Sequence, residues 1–152
     1  MKGKMIIAIA ICALLVAFPE IAFTAGKATD EDAIAMVEMA GKLIEEKGDL
    51  ALPVINNPES KYFDKEKALY VVVYNEKIEV IANPYRPDLI GVCLSHHSQS
   101  EKIVTTSMAQ GGCLLEYTDR ACCEDDVREI RTYGKRFSFD KKNYIVSASY
   151  YK

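Results

Sequence analysis

The sequence contains no tryptophan, no run of five basic residues and no second long apolar stretch after its N-terminus. With a net charge of −3, the missing basic surface argues against nucleic-acid binding, which needs concentrated positive charge. Proline (5) and glycine (8) are sparse in 152 residues, which excludes collagen-like and low-complexity chains. The charged fraction of 27% is near the globular average and excludes a disordered chain. One ordinary domain is left, large enough to bury its own core.

The apolar stretch runs from Met5 to Phe18 behind Lys2 and Lys4. A helix needs roughly 20 apolar residues to cross a bilayer core of about 30 Å, so this stretch is too short. Positive start, short apolar run and small residues together predict a secretory signal peptide. Ala25 and Ala28 both fit as its last residue; Ala28, with Gly26 two positions before it, sets the boundary at 1–28 and the domain at 29–152. The expected location is periplasmic or secreted. The alternative is a membrane anchor formed by an uncleaved N-terminal segment. Cys12 lies inside the apolar run and does not fit lipid attachment.

Spacings of three and four among Ala33, Met36, Val37, Ala40, Leu43 and Ile44 predict an amphipathic helix over Asp30 to Lys47. Thr29 and Asp32 resemble a capping box, and Gly48 is a natural stop. Asp49 to Asn56 reads as a short helix or turn. Ala68 to Tyr74 is β-branched and aromatic and predicts a strand. Asn75-Glu76-Lys77 is the expected turn to a second strand, Ile78 to Ala82, and Asn83 to Pro87 is a loop. Ser100 to Gln110 predicts a helix ended by Gly111-Gly112. Cys113 to Tyr117, Glu129 to Phe139 and Tyr144 to Tyr151 predict three more strands. Thr118 to Asp126 is the expected polar loop, and Asp140 to Asn143 the last turn. The pattern gives an α+β domain.

These segments, in this order, resemble a single Cache domain, an extracytoplasmic relative of the PAS fold. The likeness is carried by Asn56-Asn57-Pro58 with Tyr62-Phe63, by Leu69 to Tyr74, and by Val80 to Pro84 followed by Leu89-Ile90-Gly91. It continues in Gly111-Gly112 before Glu116-Tyr117, and in Arg131-Thr132-Tyr133 with Tyr144 to Tyr151. It spans about residues 31 to 152. The resemblance implies a long N-terminal helix packed on a five- to six-stranded antiparallel PAS-like sheet. It implies a sensor domain for a small molecule, such as a small organic acid, that signals through a separate membrane sensor kinase or chemoreceptor. The chain departs from the family at Asn75-Glu76-Lys77, where a glycine is common, and at Asn83, where histidine is common. Cys93 to Gln99 and Asp119 to Asp126 do not match the usual pattern.

Arg131 matches the position where the family often presents a basic side chain to its pocket, and arginine can grip a carboxylate through two hydrogen bonds. Tyr70, Tyr74, Tyr85, Arg86, Tyr117 and Tyr133 are candidate pocket walls, each tyrosine offering apolar area and one polar handle. Cys93, Cys113, Cys122 and Cys123 are an even number in an oxidising compartment and are disulfide candidates. A bond between the adjacent Cys122 and Cys123 would be strained, so Cys93 and Cys113 are each expected to pair with one of them. The rival reading is a metal-binding or redox protein using Cys93, His96 and His97 with Cys122 and Cys123, a donor set that suits zinc or copper. The haem-attachment pattern is broken, because His96 stands where its second cysteine would be. A Cys93–His96 nucleophile pair lacks a third orienting group and an oxyanion hole, so no enzyme activity and no cofactor are expected.

Overall fold

The computed structural model describes residues 27–120 and 127–152. Helix α1 spans Asp30–Lys47, as the periodicity predicts. The Thr29 hydroxyl accepts from the Asp32 amide at 3.2 Å, and the Asp32 carboxylate accepts from the Thr29 amide at 3.0 Å. This reciprocal box satisfies two of the orphan donors of the first turn, with aspartate doing the job of the usual glutamate. Gly48, at φ 55°, ends the helix. A 3-10 turn over Gly48–Ala51 leads into the one-turn helix α2, Leu52–Ile55.

The strands are β1 (Phe63–Asp64), β2 (Leu69–Tyr74), β3 (Val80–Ala82), β4 (Gly112–Arg120), β5 (Val127–Phe139) and β6 (Lys142–Tyr151). All pair antiparallel, in the order β1-β2-β6-β5-β4. The outer edge of β2 is shared, β1 pairing with its start and β3 with its end. Helix α3, Ser98–Gln110, connects the hairpin half to β4 and stops at Gly111, a left-handed cap at φ 82°. The molecule is α+β, one long helix against a six-stranded sheet.

Several boundaries differ from the sequence reading, α3 beginning at Ser98 and β5 at Val127, each two residues early. The second strand begins at Val80, not Ile78. Asn75 Oδ1 accepts from the amides of Lys77 and Glu79 at 2.9 and 3.1 Å, and this closes a longer turn in which Ile78 takes φ 62°. The expected loop from Thr118 is strand as far as Arg120, because its pairing to β5 continues through Val127. The last turn is two residues, Asp140 and Lys141, both with positive φ, the conformation whose twist matches a tight hairpin. The short strand β1 carries too little pattern to be read from sequence.

Strand alternation sends neighbouring residues to opposite faces. Val71, Val73, Phe137, Tyr144, Val146, Ala148 and Tyr150 meet Met36, Val37, Ala40 and Ile44 of α1. Val72, Tyr74 and Ile145 meet Ile103 and Val104 of α3 on the other face. Both faces are therefore covered, but unequally. Helix α1 runs along the sheet, whereas α3 crosses only part of it.

Candidate functional site

The cross-strand register defines what α3 leaves to other elements. Gly134 lies directly beneath α3: a Cβ added there would stand 3.0 Å from Ser107 Oγ and 3.1 Å from Ile103 Cγ2. Gly134 pairs with Cys113 and Ser147, and Ser147 with Val72, so this row belongs to α3. The next row on the same face is Tyr70, Ser149, Thr132 and Leu115, and beyond it stand Tyr151, Ile130 and Tyr117. Five of these seven residues carry a polar group: Tyr70, Ser149, Thr132, Tyr151 and Tyr117.

Their hydroxyls form a chain. Tyr117 Oη is 3.3 Å from Thr132 Oγ1, which is 2.8 Å from Ser149 Oγ. Thr132 and Ser149 are buried. Tyr70 stands beside Ser149, and its hydroxyl makes no hydrogen bond to a described residue. Burial raises the Tyr70 hydroxyl far above its ordinary pKa, and the neighbouring Tyr151, Tyr117, Tyr74 and Tyr85 add to the rise, so it is a neutral donor at any physiological pH. Tyr85 leans over Tyr70 with ring centroids 4.7 Å apart and touches Phe63 at 5.4 Å. The Arg128 guanidinium lies over the Tyr151 ring, 5.5 Å from its centroid. An aromatic wall, a line of hydroxyls and one cation thus share one patch.

The loop that brings Tyr85 here is pinned by two asparagines. Asn56 Oδ1 accepts from the Asn83 amide at 2.7 Å. Asn83 Oδ1 in turn accepts from the amides of Tyr85 and Arg86 at 3.1 and 2.8 Å. Two side-chain oxygens replace the strand pairing that the chain loses after Ala82, an Asx-type solution.

Of the residues singled out from sequence, Tyr70, Tyr85 and Tyr117 come together. Tyr74 shares their face but is buried beneath α3, beside the hydroxyls of Ser100 and Ser147, and burial pushes it up to about 12. Arg86 makes a two-bond pair with Asp88, at 2.9 and 2.7 Å. Arg131 and Tyr133 stand on the opposite, α1-facing side, since Arg131 pairs with Tyr150 and Tyr133 with Ala148. Arg131 donates to Asp30 at the start of α1 and, at 2.8 Å, to Glu116. Its carboxylate partners are supplied from within the fold. Thr132, Ser149 and Tyr151 were not singled out from sequence. The alternation in β6 separates Ser147, Ser149 and Tyr151 from Val146, Ala148 and Tyr150, but not which set faces α1.

The metal reading draws on Cys93, His96 and His97 together with Cys122 and Cys123, the last two of which lie outside the described residues. Among the described residues, no group of three or more His, Cys, Asp or Glu could hold an ion. Cys93 bonds Lys77 O and Ser95 Oγ, both at 3.4 Å, while His97 Nδ1 is 3.1 Å from Ser100 Oγ. Bonding to Ser95 holds the exposed Cys93 thiol below its ordinary pKa. Cys93 and Cys113 carry free thiols; Cys113 faces α3, 3.4 Å from Ser107 Oγ. Cys122 and Cys123 lie outside the described residues.

A concavity of about 530 Å³ opens elsewhere, at the other end of β2 and β6 on the α1 side. Its acidic groups have internal partners: Asp49 holds Lys142 and Tyr144, Glu76 holds Asn143, and Glu79 holds Asn75.

No family model matches the chain, and no curated protein matches it by sequence. Solved structures do match. A Cache chemosensory domain described for carboxylic acid recognition has a TM-score of 0.62 at 16% identity, over 80% of this chain and 91% of that one. The periplasmic sensor domain of a chemotaxis protein has a TM-score of 0.56 at 17% identity, over 80% of this chain and 88% of that one. A methyl-accepting chemotaxis protein from Vibrio parahaemolyticus RIMD 2210633 gives 0.56 at 12% identity, over 80% and 86%. The chain has the fold of Cache sensor domains.

Proposed function

We propose that this chain is an extracytoplasmic sensor-type domain that binds a small organic acid on the sheet face turned away from α1. The observation that carries the reading is the Tyr70 hydroxyl, which makes no hydrogen bond to a described residue yet stands beside the Tyr117–Thr132–Ser149 hydroxyl chain. Tyr70 is half-buried, so its hydroxyl reaches the surface beside that chain, where a ligand oxygen can meet it. Tyr70, Tyr85, Tyr117, Thr132, Ser149 and Tyr151 form the site. Arg128 lies over the Tyr151 ring at the margin of this patch. Two features add support: the shared fold with a domain that recognises carboxylic acids, and the signal-peptide pattern at Met1 to Ala28. No catalytic step is part of this reading. The signal would pass to a membrane receptor or kinase.

Calorimetric titration against a panel including acetate, pyruvate and malate tests it. Tyr70→Phe should weaken binding by about 1.5–3 kcal/mol, the worth of a hydrogen bond to a charged group. Arg131→Ala should bind as the wild type does, because Arg131 faces α1. If no acid binds, or if Tyr70→Phe and Tyr117→Phe bind undiminished, the site is misplaced.

A further inference from the structure

Tyr85 is the member of the proposed site that no strand supplies. It belongs to the stretch between Ala82, where β3 ends, and Gly91, whose amide returns to Val80 O at 2.8 Å. The Val80 amide in turn donates to Val92 O at 3.0 Å, so the two ends of the stretch are pinned side by side. Tyr85 itself is 46% exposed. A tyrosine so placed adds little to the core, and in an ordinary surface loop its ring is mobile.

The fold nevertheless fixes it. Asn83 is 3% exposed. Burying an amide side chain costs free energy unless its polar atoms are bonded. Here Oδ1 is used on the amides of Tyr85 and Arg86, at 3.1 and 2.8 Å. Asn56 Oδ1 accepts from the Asn83 amide at 2.7 Å and so ties the turn to the end of α2. Pro84 and Pro87, on either side of Tyr85 and Arg86, lock their own φ angles. As a result the Tyr85 ring stands against two others, 4.7 Å from Tyr70 and 5.4 Å from Phe63 between centroids.

Tyr70 is the β2 end of the row that continues through Ser149 and Thr132 to Leu115. Helix α3 closes one flank of that row, since Gly134, in the row beside it, lies beneath Ser107 and Ile103. Tyr85 closes the β2 end. A ligand lying along the hydroxyls toward β2 meets its ring.

Taking the site proposed above, we infer that Tyr85 limits the size of the acid it accepts, and that Asn83, braced by Asn56, is the positioning residue that holds Tyr85 there. A wall fixed before the ligand arrives discriminates better than one ordered on binding, because no ordering cost is subtracted from the affinity.

Calorimetric titration of the protein with acetate and with hexanoate gives the test. The wild type should prefer acetate. Tyr85→Ala should raise the affinity for hexanoate relative to acetate by about tenfold or more, the discrimination of a single methylene. Asn83→Ala should shift the ratio the same way, whereas Asn83→Asp, which keeps an oxygen for both amides, should not. Adding Asn83→Ala to Tyr85→Ala should shift it no further, since no ring is left to position. Asn56→Ala removes only the bond to the Asn83 amide and carries the same expectation where Asn83→Ala fails to fold. Without ligand, the nuclear Overhauser effect between the Tyr70 and Tyr85 rings should be present in the wild type and Asn83→Asp and lost in Asn83→Ala. If it persists in Asn83→Ala, the inference falls whether or not an acid binds. It falls too if the wild type prefers hexanoate, or if Tyr85→Ala leaves the ratio unchanged. A wild type that binds neither acid also overturns it, and titration with pyruvate and malate then decides separately whether the site itself is at fault.

Discussion

Asp32 shows how much one side chain can connect. It closes the capping box of α1 and also accepts two bonds, both 3.0 Å, from Lys67. Lys67 is almost fully buried, its side chain 5% exposed. Burial alone would raise the Asp32 pKa. The bond from Lys67, the Thr29 amide and the Lys67 charge together outweigh burial and hold it below 3.8. Asp49 is likewise held low by Lys142 and Tyr144. A carboxylate with a depressed folded-state pKa contributes stability that is full above its unfolded pKa and is lost as pH falls through the folded one. The fold should therefore weaken as pH drops below about 4. Asp32→Asn should cost about 1.5–3 kcal/mol at neutral pH, the worth of a charged hydrogen bond. The gap to wild type should close at lower pH, where Asp32 is protonated. Urea melts across pH measure both; a gap independent of pH would mean that Lys67 is not the partner that matters.

At the scale of elements, the seating of α1 on the sheet depends on Gly41. A Cβ there would lie 2.1 Å from Phe137 Cε1 and Cζ. Phe137 is a buried ring within the core beneath α1 and has little room to retreat. Alanine would gain roughly 1 kcal/mol of helix propensity. Overpacking typically costs about 1–3 kcal/mol, and so short an approach belongs at the upper end. Gly41→Ala should therefore lower the melting temperature. Adding Phe137→Leu should recover part of that loss, a coupling that a double-mutant cycle detects. Strict additivity would show that the helix does not rest on this ring. The Asn75 turn works differently. There a side chain supplies the bonds that let Ile78 hold a left-handed conformation, which is costly for a β-branched residue.

Across the whole molecule, α1 and the turn after it are tied down at separated points: Asp30 by Arg131 and Tyr150, Asp32 by Lys67, Glu38 by Lys135, and Asp49 by Lys142 and Tyr144. The ties reach the first turn of the helix, so ordered packing begins before Asp30. Ala28 is 7% exposed and belongs to the core beneath α1. This bears on processing, because removal of residues 1–28 would delete that contact and put a charged amino group on the capping residue. Export should instead leave Gly26 as the first residue, with cleavage after Ala25. N-terminal sequencing of the secreted protein decides between them: a start at Thr29 would show that the Ala28 contact is dispensable.

Local pattern by itself determined the long helix, its cap and stop, most of the strands and the α+β class. Each of these rests on spacing and short-range bonds written within a few residues, as in Thr29 with Asp32 or Gly111 after Gln110. Of the aromatic residues in the proposed site, Tyr70, Tyr85 and Tyr117 are singled out by the sequence, and the structure brings them together on one face. What local pattern could not supply was the side of the sheet to which each residue turns. Strand alternation has a period of two, so a one-residue change of parity exchanges the faces. Thr132 and Arg131 are adjacent, yet one joins the hydroxyl chain and the other anchors α1. Only the packing of α1 against Val71, Val146 and Ala148 breaks that symmetry. Burying the larger apolar set beneath the longer helix removes more surface from water, and this leaves Ser147, Ser149, Thr132, Tyr70, Tyr117 and Tyr151 facing the other way.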